Sequence, residues 1–389
     1  MRKVYFLALT SYPDIGGVQT SILSCAQKLV DKGYDVEIIS ACFDKRESKE
    51  FRYEGVLFRK FYVNPSRIPF VNECKIIFAF NSFVKISGIN FEEGITFSRS
   101  VLLSYACTTI TNSYLITLFP TTTSLDFDGR KQRRKNGIKS YIARAFFKIN
   151  ESFYKYIESI VIRKSEVIVF SDLMKKCISK EHKKKAIEVV RPGVNEEYFT
   201  NEKTLRKNGK VLFVGRLASN KNIYHLADII SETDDSVLFT IVGDGPDRVK
   251  LENYLNTKGI LNRVNILGKK TQQELVDIYR EHSLTILPSR IETFGLTIIE
   301  SMACGTPVIA YKPDGEIVKT ASAEIIIENT NGFLVDNYNE KNMAASIMDA
   351  LSEVKNNADK YNSDCVNYVY ENYRWDNIVN YIMSKVEYD

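Results

Sequence analysis

The sequence predicts an α/β protein of parallel sheets and crossover helices, because short apolar runs alternate with helical patterns from end to end, and a second strand start resembling the first appears past the midpoint. At 389 residues, and roughly 150 residues per domain, the chain has room for two or three domains with buried cores. Its composition, 44% apolar, 12% aromatic and 26% charged, excludes a disordered or fibrous chain.

The first run, Val4 to Leu9, is a buried strand, and the loop Thr10 to Gly17 feeds a helix with Val18, Ile22, Ala26 and Leu29 on one face. Gly33 ends that helix, and Val36 to Ser40 is the next strand. The second start is Val211 to Arg216. Strands at Leu238 to Val242, Val264 to Leu267, Leu284 to Leu287 and Val308 to Ala310 then alternate with helices near 222–231, 246–257, 272–282 and 295–303. Two doubly wound, Rossmann-like domains are expected, residues 1–192 and 193–372, facing across a cleft near residues 190–200. Ligands of such sheets sit beyond the carboxyl ends of the strands, so a cleft between two of them suits group transfer.

Several classes are excluded. The longest uncharged stretch, Val101 to Leu125, holds eleven Ser, Thr or Asn residues and Pro120, and so is not a membrane span. Arg2 and Lys3 precede only six apolar residues, which read as a strand and not as a signal peptide. The seven cysteines come no closer than 17 residues apart, which excludes a zinc ribbon or CxxC pair and fits reduced thiols in the cytoplasm. Neither Gly16-Gly17 nor Gly243-Asp-Gly245 continues to a third glycine, position 248 being Arg, so a dinucleotide-dependent oxidoreductase is disfavoured.

Candidate chemistry gathers after the strand ending at Leu287. Glu292 stands in a loop and Glu300 one and a half turns inside the following helix, whose first amides, near Phe294, Gly295 and Leu296, with Thr297 next, form a ready anion site. An anionic ligand with hydroxyls fits. Arg216 and Lys221 follow a strand end; in isolation they also read as a solvated loop pair, but two cations there match a leaving nucleoside diphosphate, on which negative charge grows as a glycosidic bond breaks.

The segment Glu292-Thr-Phe-Gly-Leu-Thr-Ile-Ile-Glu300, followed by Met-Ala-Cys-Gly-Thr-Pro-Val-Ile-Ala, resembles the signature of retaining GT-B glycosyltransferases of family 4. The resemblance runs along nearly the whole chain. Gly16-Gly17-Val18 is similar to the family's N-terminal glycine loop, Arg191-Pro-Gly-Val-Asn195 to its domain junction, and Val214-Gly-Arg216-Leu with Lys221-Asn to its phosphate-binding element. Ile241-Val-Gly-Asp-Gly-Pro246, Leu267-Gly268 and Asn331-Gly-Phe-Leu-Val335 follow in family order. Tyr373-Arg-Trp375-Asp-Asn resembles the closing segment, in which the last helix, residues 373–389, crosses back to the N-terminal domain.

The resemblance implies a GT-B fold with an acceptor-binding first domain and a nucleotide-sugar-binding second one. It implies transfer with retention through an oxocarbenium-like transition state and no catalytic metal. Asp126-Phe-Asp128 is accordingly read as an acidic turn. By the same analogy Glu292 lies near the donor sugar hydroxyls in an electrostatic and positioning role, Glu300 binds the ribose, Gly16 and Gly17 let backbone approach the phosphate or reacting sugar, and Lys269, Lys270 and Thr271 lie near the base. UDP is the expected nucleotide. Many members carry an N-domain histidine against the donor sugar; here His182, His225 and His282 all lie later and read as structural or surface groups, and the corresponding stretch, Leu115 to Asp126, offers hydroxyls.

The net charge of +5 conceals polarity: between Arg130 and Arg191, 18 Lys/Arg stand against 6 Asp/Glu. The run Arg130, Lys131, Arg133, Arg134 and Lys135 precedes a predicted helix from Ile138 to about Lys164, with Tyr141, Ile142, Phe146, Ile149, Phe153 and Ile160 near helical spacing, so that 130–165 is a basic amphipathic segment. Two readings stay open, a core-facing helix with a solvated outer face and peripheral attachment to an anionic leaflet beside a lipid-linked acceptor. Nucleic acid is not an expected partner, since no reading helix or stacking module is present.

The function these observations predict is a cytoplasmic, metal-independent retaining glycosyltransferase, peripheral on the inner membrane face, that moves a sugar from a nucleotide-sugar donor to a saccharide or lipid-linked glycan in bacterial surface polysaccharide assembly. A non-catalytic GT-B partner subunit and a UDP-sugar 2-epimerase are the alternatives.

Overall fold

The computed structural model describes residues 3–12, 17–66, 68–126, 140–183, 186–199 and 209–386, with backbone only at 17, 18, 69 and 140–146. The chain divides into two compact units, Met1–Gly193 with Trp375–Asp389, and Val194–Arg374. By sequence, 33 Lys/Arg against 22 Asp/Glu give the first unit +11, and 20 against 26 give the second −6.

The first unit runs β1 (Lys3–Ala8), α1 (Gly17–Asp31), β2 (Asp35–Cys42), β3 (Glu50–Tyr53), β4 (Val56–Tyr62), α2 (Pro69–Ser87), β5 (Gly94–Ser98), α3 (Val101–Ile110), β6 (Leu115–Leu118), α4 (Ser140–Lys164), β7 (Glu166–Val169), α5 (Asp172–His182) and β8 (Ile187–Val189). Its eight strands lie in the order β3-β4-β2-β1-β5-β6-β7-β8, parallel except for β3, which is antiparallel to β4. Strand β1 is apolar at nearly every position because both faces are covered. One face, with Tyr5, Leu7, Ile39 and Phe61, packs against Ile76 and Phe80 of α2, Leu103 and Ala106 of α3, and Ile157 of α4.

Helix α4 therefore settles half of the question left open by the sequence: Ile157 and Val161 are fully buried, so its described C-terminal half faces the core. Ile149, expected on the apolar stripe, is exposed, because the stripe follows Phe153, Ile157 and Val161. The cationic residues Arg130, Lys131, Arg133, Arg134 and Lys135 lie outside the described residues, as do Gly16 and Asp128.

The second unit runs β9 (Lys210–Val214), α6 (Ile223–Glu232), β10 (Leu238–Val242), α7 (Arg248–Thr257), β11 (Val264–Gly268), α8 (Gln272–Glu281), β12 (Leu284–Leu287), β13 (Ile291–Glu292), α9 (Leu296–Ala303), β14 (Val308–Tyr311), β15 (Lys319–Thr320), α10 (Ser322–Ile325), β16 (Gly332–Val335), α11 (Glu340–Asn356) and α12 (Ala358–Asn372). Six parallel strands, ordered β11-β10-β9-β12-β14-β16, form its sheet, and β13 pairs separately with β15. A last helix, α13 (Asp376–Val386), returns to the first unit. There Lys28 of α1 meets Asp376 at 3.1 Å and Lys385 meets Glu166 at 2.7 Å, while Ile378, Val379 and Ile382 are buried.

Candidate active site

The carboxyl ends of β9, β10 and β11 are drawn together by backbone bonds. Gly215 N–H donates to Val242 O at 3.0 Å, and Gly243 N–H to Gly268 O at 2.9 Å. Gly243 has φ +134°, and a Cβ there would lie 1.9 Å from Gly215 O, so only glycine permits the approach. The loop after β9 is held by Leu217 N–H on Asp244 O (3.0 Å) and Ser219 N–H on Asp247 Oδ2 (2.8 Å). Arg216 stands exposed on this loop, with no ion pair among the described residues. A 3₁₀ turn, Ser219–Lys221, follows and closes on Asn222 in the left-handed region at φ 54°.

Lys221 reaches from that turn to Glu292, with Nζ 2.5 Å from Oε2. Glu292 is fixed by its own backbone: β13 is pinned to β15, with Lys319 N–H on Arg290 O at 2.7 Å and Ala321 N–H on Glu292 O at 3.0 Å. The turn into α9 then passes through Gly295 at φ +85°, where a Cβ would come within 3.3 Å of Glu292 Cγ. Leu296 and Thr297 open the helix, and buried Phe294 packs on Tyr373 with ring centroids 5.8 Å apart.

Glu300 projects from the second turn of α9. Burial pushes its carboxyl up to about 7, even though the Tyr279 hydroxyl, 3.3 Å away, donates to it and pulls the other way. Burial and the neighbouring Glu300 in turn hold the Tyr279 phenol well above its ordinary value, so it remains a donor. Of the residues expected near the base, Lys269 is exposed. Lys270 Nζ is taken up by Glu274 at 2.8 Å, and Thr271 forms a capping box with the same carboxylate, which the two hold down at about 2.

Residues 194–372 match the family model described as glycosyl transferases group 1. The matched segment covers nearly all of the second unit and includes Arg216, Lys221, Lys269, Lys270, Glu292 and Glu300, but neither Gly16 nor Gly17. The chain is 32% identical over 200 residues to the uncharacterized glycosyltransferase MJ1178 of Methanocaldococcus jannaschii, covering 51% of this chain and 52% of that protein. It is 33% identical over 153 residues to the D-inositol 3-phosphate glycosyltransferase of Rhodococcus jostii, covering 37% and 32%. The matches thus span between a third and about half of these relatives' length. Among solved structures, sucrose-phosphate synthase from Thermosynechococcus elongatus superposes with TM-score 0.82 at 17% identity, over 99% of this chain and 98% of that one. HepE of Anabaena, in complex with UDP and glucose, superposes with TM-score 0.72 at 15% identity over the whole of both chains. The fold class is GT-B, as the sequence predicts.

The matched segment also contains a cluster that sequence reasoning missed. Asn222 Nδ2 donates to Tyr338 OH at 2.7 Å and to Pro288 O at 3.2 Å. His225 stacks on Tyr338 with centroids 4.3 Å apart and meets Tyr311 OH at 2.8 Å, and Arg290 lies over the Tyr338 ring at 5.4 Å. Burial lowers the His225 pKa, keeping the ring neutral. The cluster joins the residue after Lys221 to the end of β12, and so supports the lysine from behind. His282 is buried between Ile278 O (2.6 Å) and Thr240 Oγ1 (2.7 Å). In the first unit, His182 meets the buried Glu158 at 2.7 Å, and Glu158 accepts from Thr123 N–H at 2.9 Å, anchoring the hydroxyl-rich turn after β6. All three histidines have structural partners.

Proposed function

We propose that this chain is a retaining, metal-independent glycosyltransferase that moves a sugar from a nucleotide-sugar donor, UDP-linked, to a saccharide or lipid-linked glycan acceptor in bacterial surface polysaccharide assembly. The observation that carries the reading is the contact of Lys221 with Glu292, set against the glycine turn that leads to Glu300. It brings a cation for a leaving diphosphate to the carboxylate suited to a developing positive charge. The group 1 match and the UDP held by HepE support the nucleotide.

In this reading the bond from the sugar's anomeric carbon to the diphosphate breaks as the acceptor oxygen bonds to the same face. The acceptor's proton passes to the departing phosphate oxygen. Lys221 exchanges Glu292 for the diphosphate, Arg216 adds a second cation, and the freed Glu292 carboxylate holds the sugar hydroxyls and stabilises the oxocarbenium-like ring. Glu300 accepts from the ribose hydroxyls. Arg216 and Lys221 supply the charge that a metal would otherwise provide.

The test is thermal unfolding with UDP, GDP or ADP and no metal, for the wild type and Arg216→Ala. A ligand at a hundredfold excess over its Kd stabilises by about 2.7 kcal/mol, a readable shift in Tm. UDP is expected to stabilise the wild type and to act much less on the variant. Stabilisation by none of the three would overturn the reading.

A further inference from the structure

Helices α2, α3 and α4 bury one side on the sheet of the first unit and turn the other outward. That outer side is unusually apolar. Phe78 is 74% exposed and Ile86 87%, and with Val71 they recur at spacings of seven and eight residues, which places them on one stripe of α2. Ile110 at the end of α3, and Ile149 and Tyr156 on α4, are exposed as well. Monomeric surfaces seldom gather so many large apolar groups without a partner.

Among the described residues, the exposed charges of these three helices have one sign. Lys85 on α2 and Lys148, Lys155, Arg163 and Lys164 on α4 are exposed, while α3 carries no charged residue. The carboxylates of α2 and α4 are all drawn inward or occupied: Glu73 accepts from Tyr154 OH at 3.0 Å, Glu151 from Lys155 at 2.9 Å, and Glu158 is buried against His182. Between the ends of α2 and α3 a cavity of about 810 Å³ opens, walled by Phe78, Lys85, Ile89 and Ile110. Asn81 lines it as well, and the amide's Oδ1 has no hydrogen-bond partner.

We propose that the outer face of the α2, α3 and α4 layer rests on an anionic phospholipid leaflet, with Phe78 and Ile86 inserted among the acyl chains and the cavity receiving part of one lipid. Aromatic and aliphatic side chains framed by lysines are the composition of an interfacial surface, and five exposed cations on the three helices, against the exposed Glu92 on the cavity wall, match anionic headgroups. This assigns the contact to described helices, in place of the run Arg130 to Lys135. Its purpose, presenting a lipid-linked acceptor, rests on the function proposed above, but vesicle binding is measured without donor or acceptor, so either can fail alone.

The test is co-sedimentation of the full chain with vesicles of phosphatidylcholine alone or of equal parts phosphatidylcholine and phosphatidylglycerol. Binding is expected to the mixed vesicles, about tenfold or more weaker to the neutral ones, and lost in high salt. The double variant Phe78→Glu, Ile86→Glu should lose at least about tenfold in partitioning. Both side chains are exposed, so its Tm should be unchanged, and Lys85→Glu with Lys148→Glu should weaken binding independently. Three outcomes would overturn the proposal: no binding by the wild type, equal binding to both vesicles, or loss only when Arg133 and Arg134 are reversed. A dimer in solution that the double variant dissolves, without vesicle binding, would assign the face to a second copy instead.

Discussion

Lys221 Nζ lies 2.5 Å from Glu292 Oε2, so in the ligand-free protein the cation suited to a diphosphate is already neutralised by the carboxylate suited to the sugar. Donor binding must separate them. Glu292→Gln is therefore expected to move two quantities in opposite directions. Turnover should fall by about a hundredfold or more, as when a preorganised electrostatic group is lost. The Kd for UDP, read by calorimetry, should tighten by about threefold or more, because Lys221 no longer has a competing anion. Weaker UDP binding in the variant would show that the pair does not compete with the nucleotide.

Glu300 should make nucleotide binding depend on pH. Its carboxyl titrates near 7, so it is largely protonated below that and cannot accept from both ribose hydroxyls. Affinity is expected to fall up to about tenfold per pH unit below 7 in the wild type, and to lose this component in Glu300→Gln. The stability effect has the opposite sign. A carboxyl raised from 4.5 to about 7 favours the folded state below the unfolded value, and that contribution is lost as pH rises through 7.

Asn222 should matter through its conformation and through its bonds. Asn222→Ala puts at φ 54° a residue that tolerates the left-handed region less well than asparagine, and removes both hydrogen bonds, so a loss of about 2 kcal/mol or more in unfolding free energy is expected. Asn222→Gly keeps the backbone free and should lose less. Both should weaken UDP binding through Lys221, and Tyr338→Phe, which keeps the stack on His225, should do so with little change in Tm. Denaturant melts and calorimetry on the three variants separate the contributions.

Gly243→Ala should be far more damaging than its size suggests. The added methyl would meet Gly215 O at 1.9 Å, in a backbone conformation that alanine rarely adopts. A loss of about 3 kcal/mol or more is expected, visible as a lowered urea midpoint.

Metal independence is tested directly. Transfer or donor hydrolysis should survive EDTA at full rate, and abolition, restored by Mg²⁺ or Mn²⁺, would transfer the charge-neutralising role from Arg216 and Lys221 to an ion.

Legibility differed by kind of element. Strand β14 was readable because all four of its residues, Val308 to Tyr311, are buried and it shows as an unbroken apolar run. The long helix α2 was not, since Phe78 and Ile86 on its exposed side blur the periodicity set by Ile76 and Phe80 on its buried one. In the candidate site, Glu292 and Glu300 stand close in sequence and their spacing draws attention. Asn222 and Tyr338 are 116 residues apart, and nothing local in either segment announces that the fold joins them. The engagement of Lys270 by Glu274 was available from sequence, as a Thr-x-x-Glu capping box with a lysine four residues before the carboxylate.

The return of α13 to the first unit has a consequence for synthesis. The unit whose sequence emerges first is completed last, because the groups that bind Lys28 and Glu166, namely Asp376 and Lys385, leave the ribosome only after the whole second unit has appeared. During that interval the surface awaiting Ile378, Val379 and Ile382 stays uncovered. A nascent chain stalled before residue 375 should thus expose an apolar patch to chaperones, and the second unit, drawn from one continuous stretch, is free to fold before the first is finished.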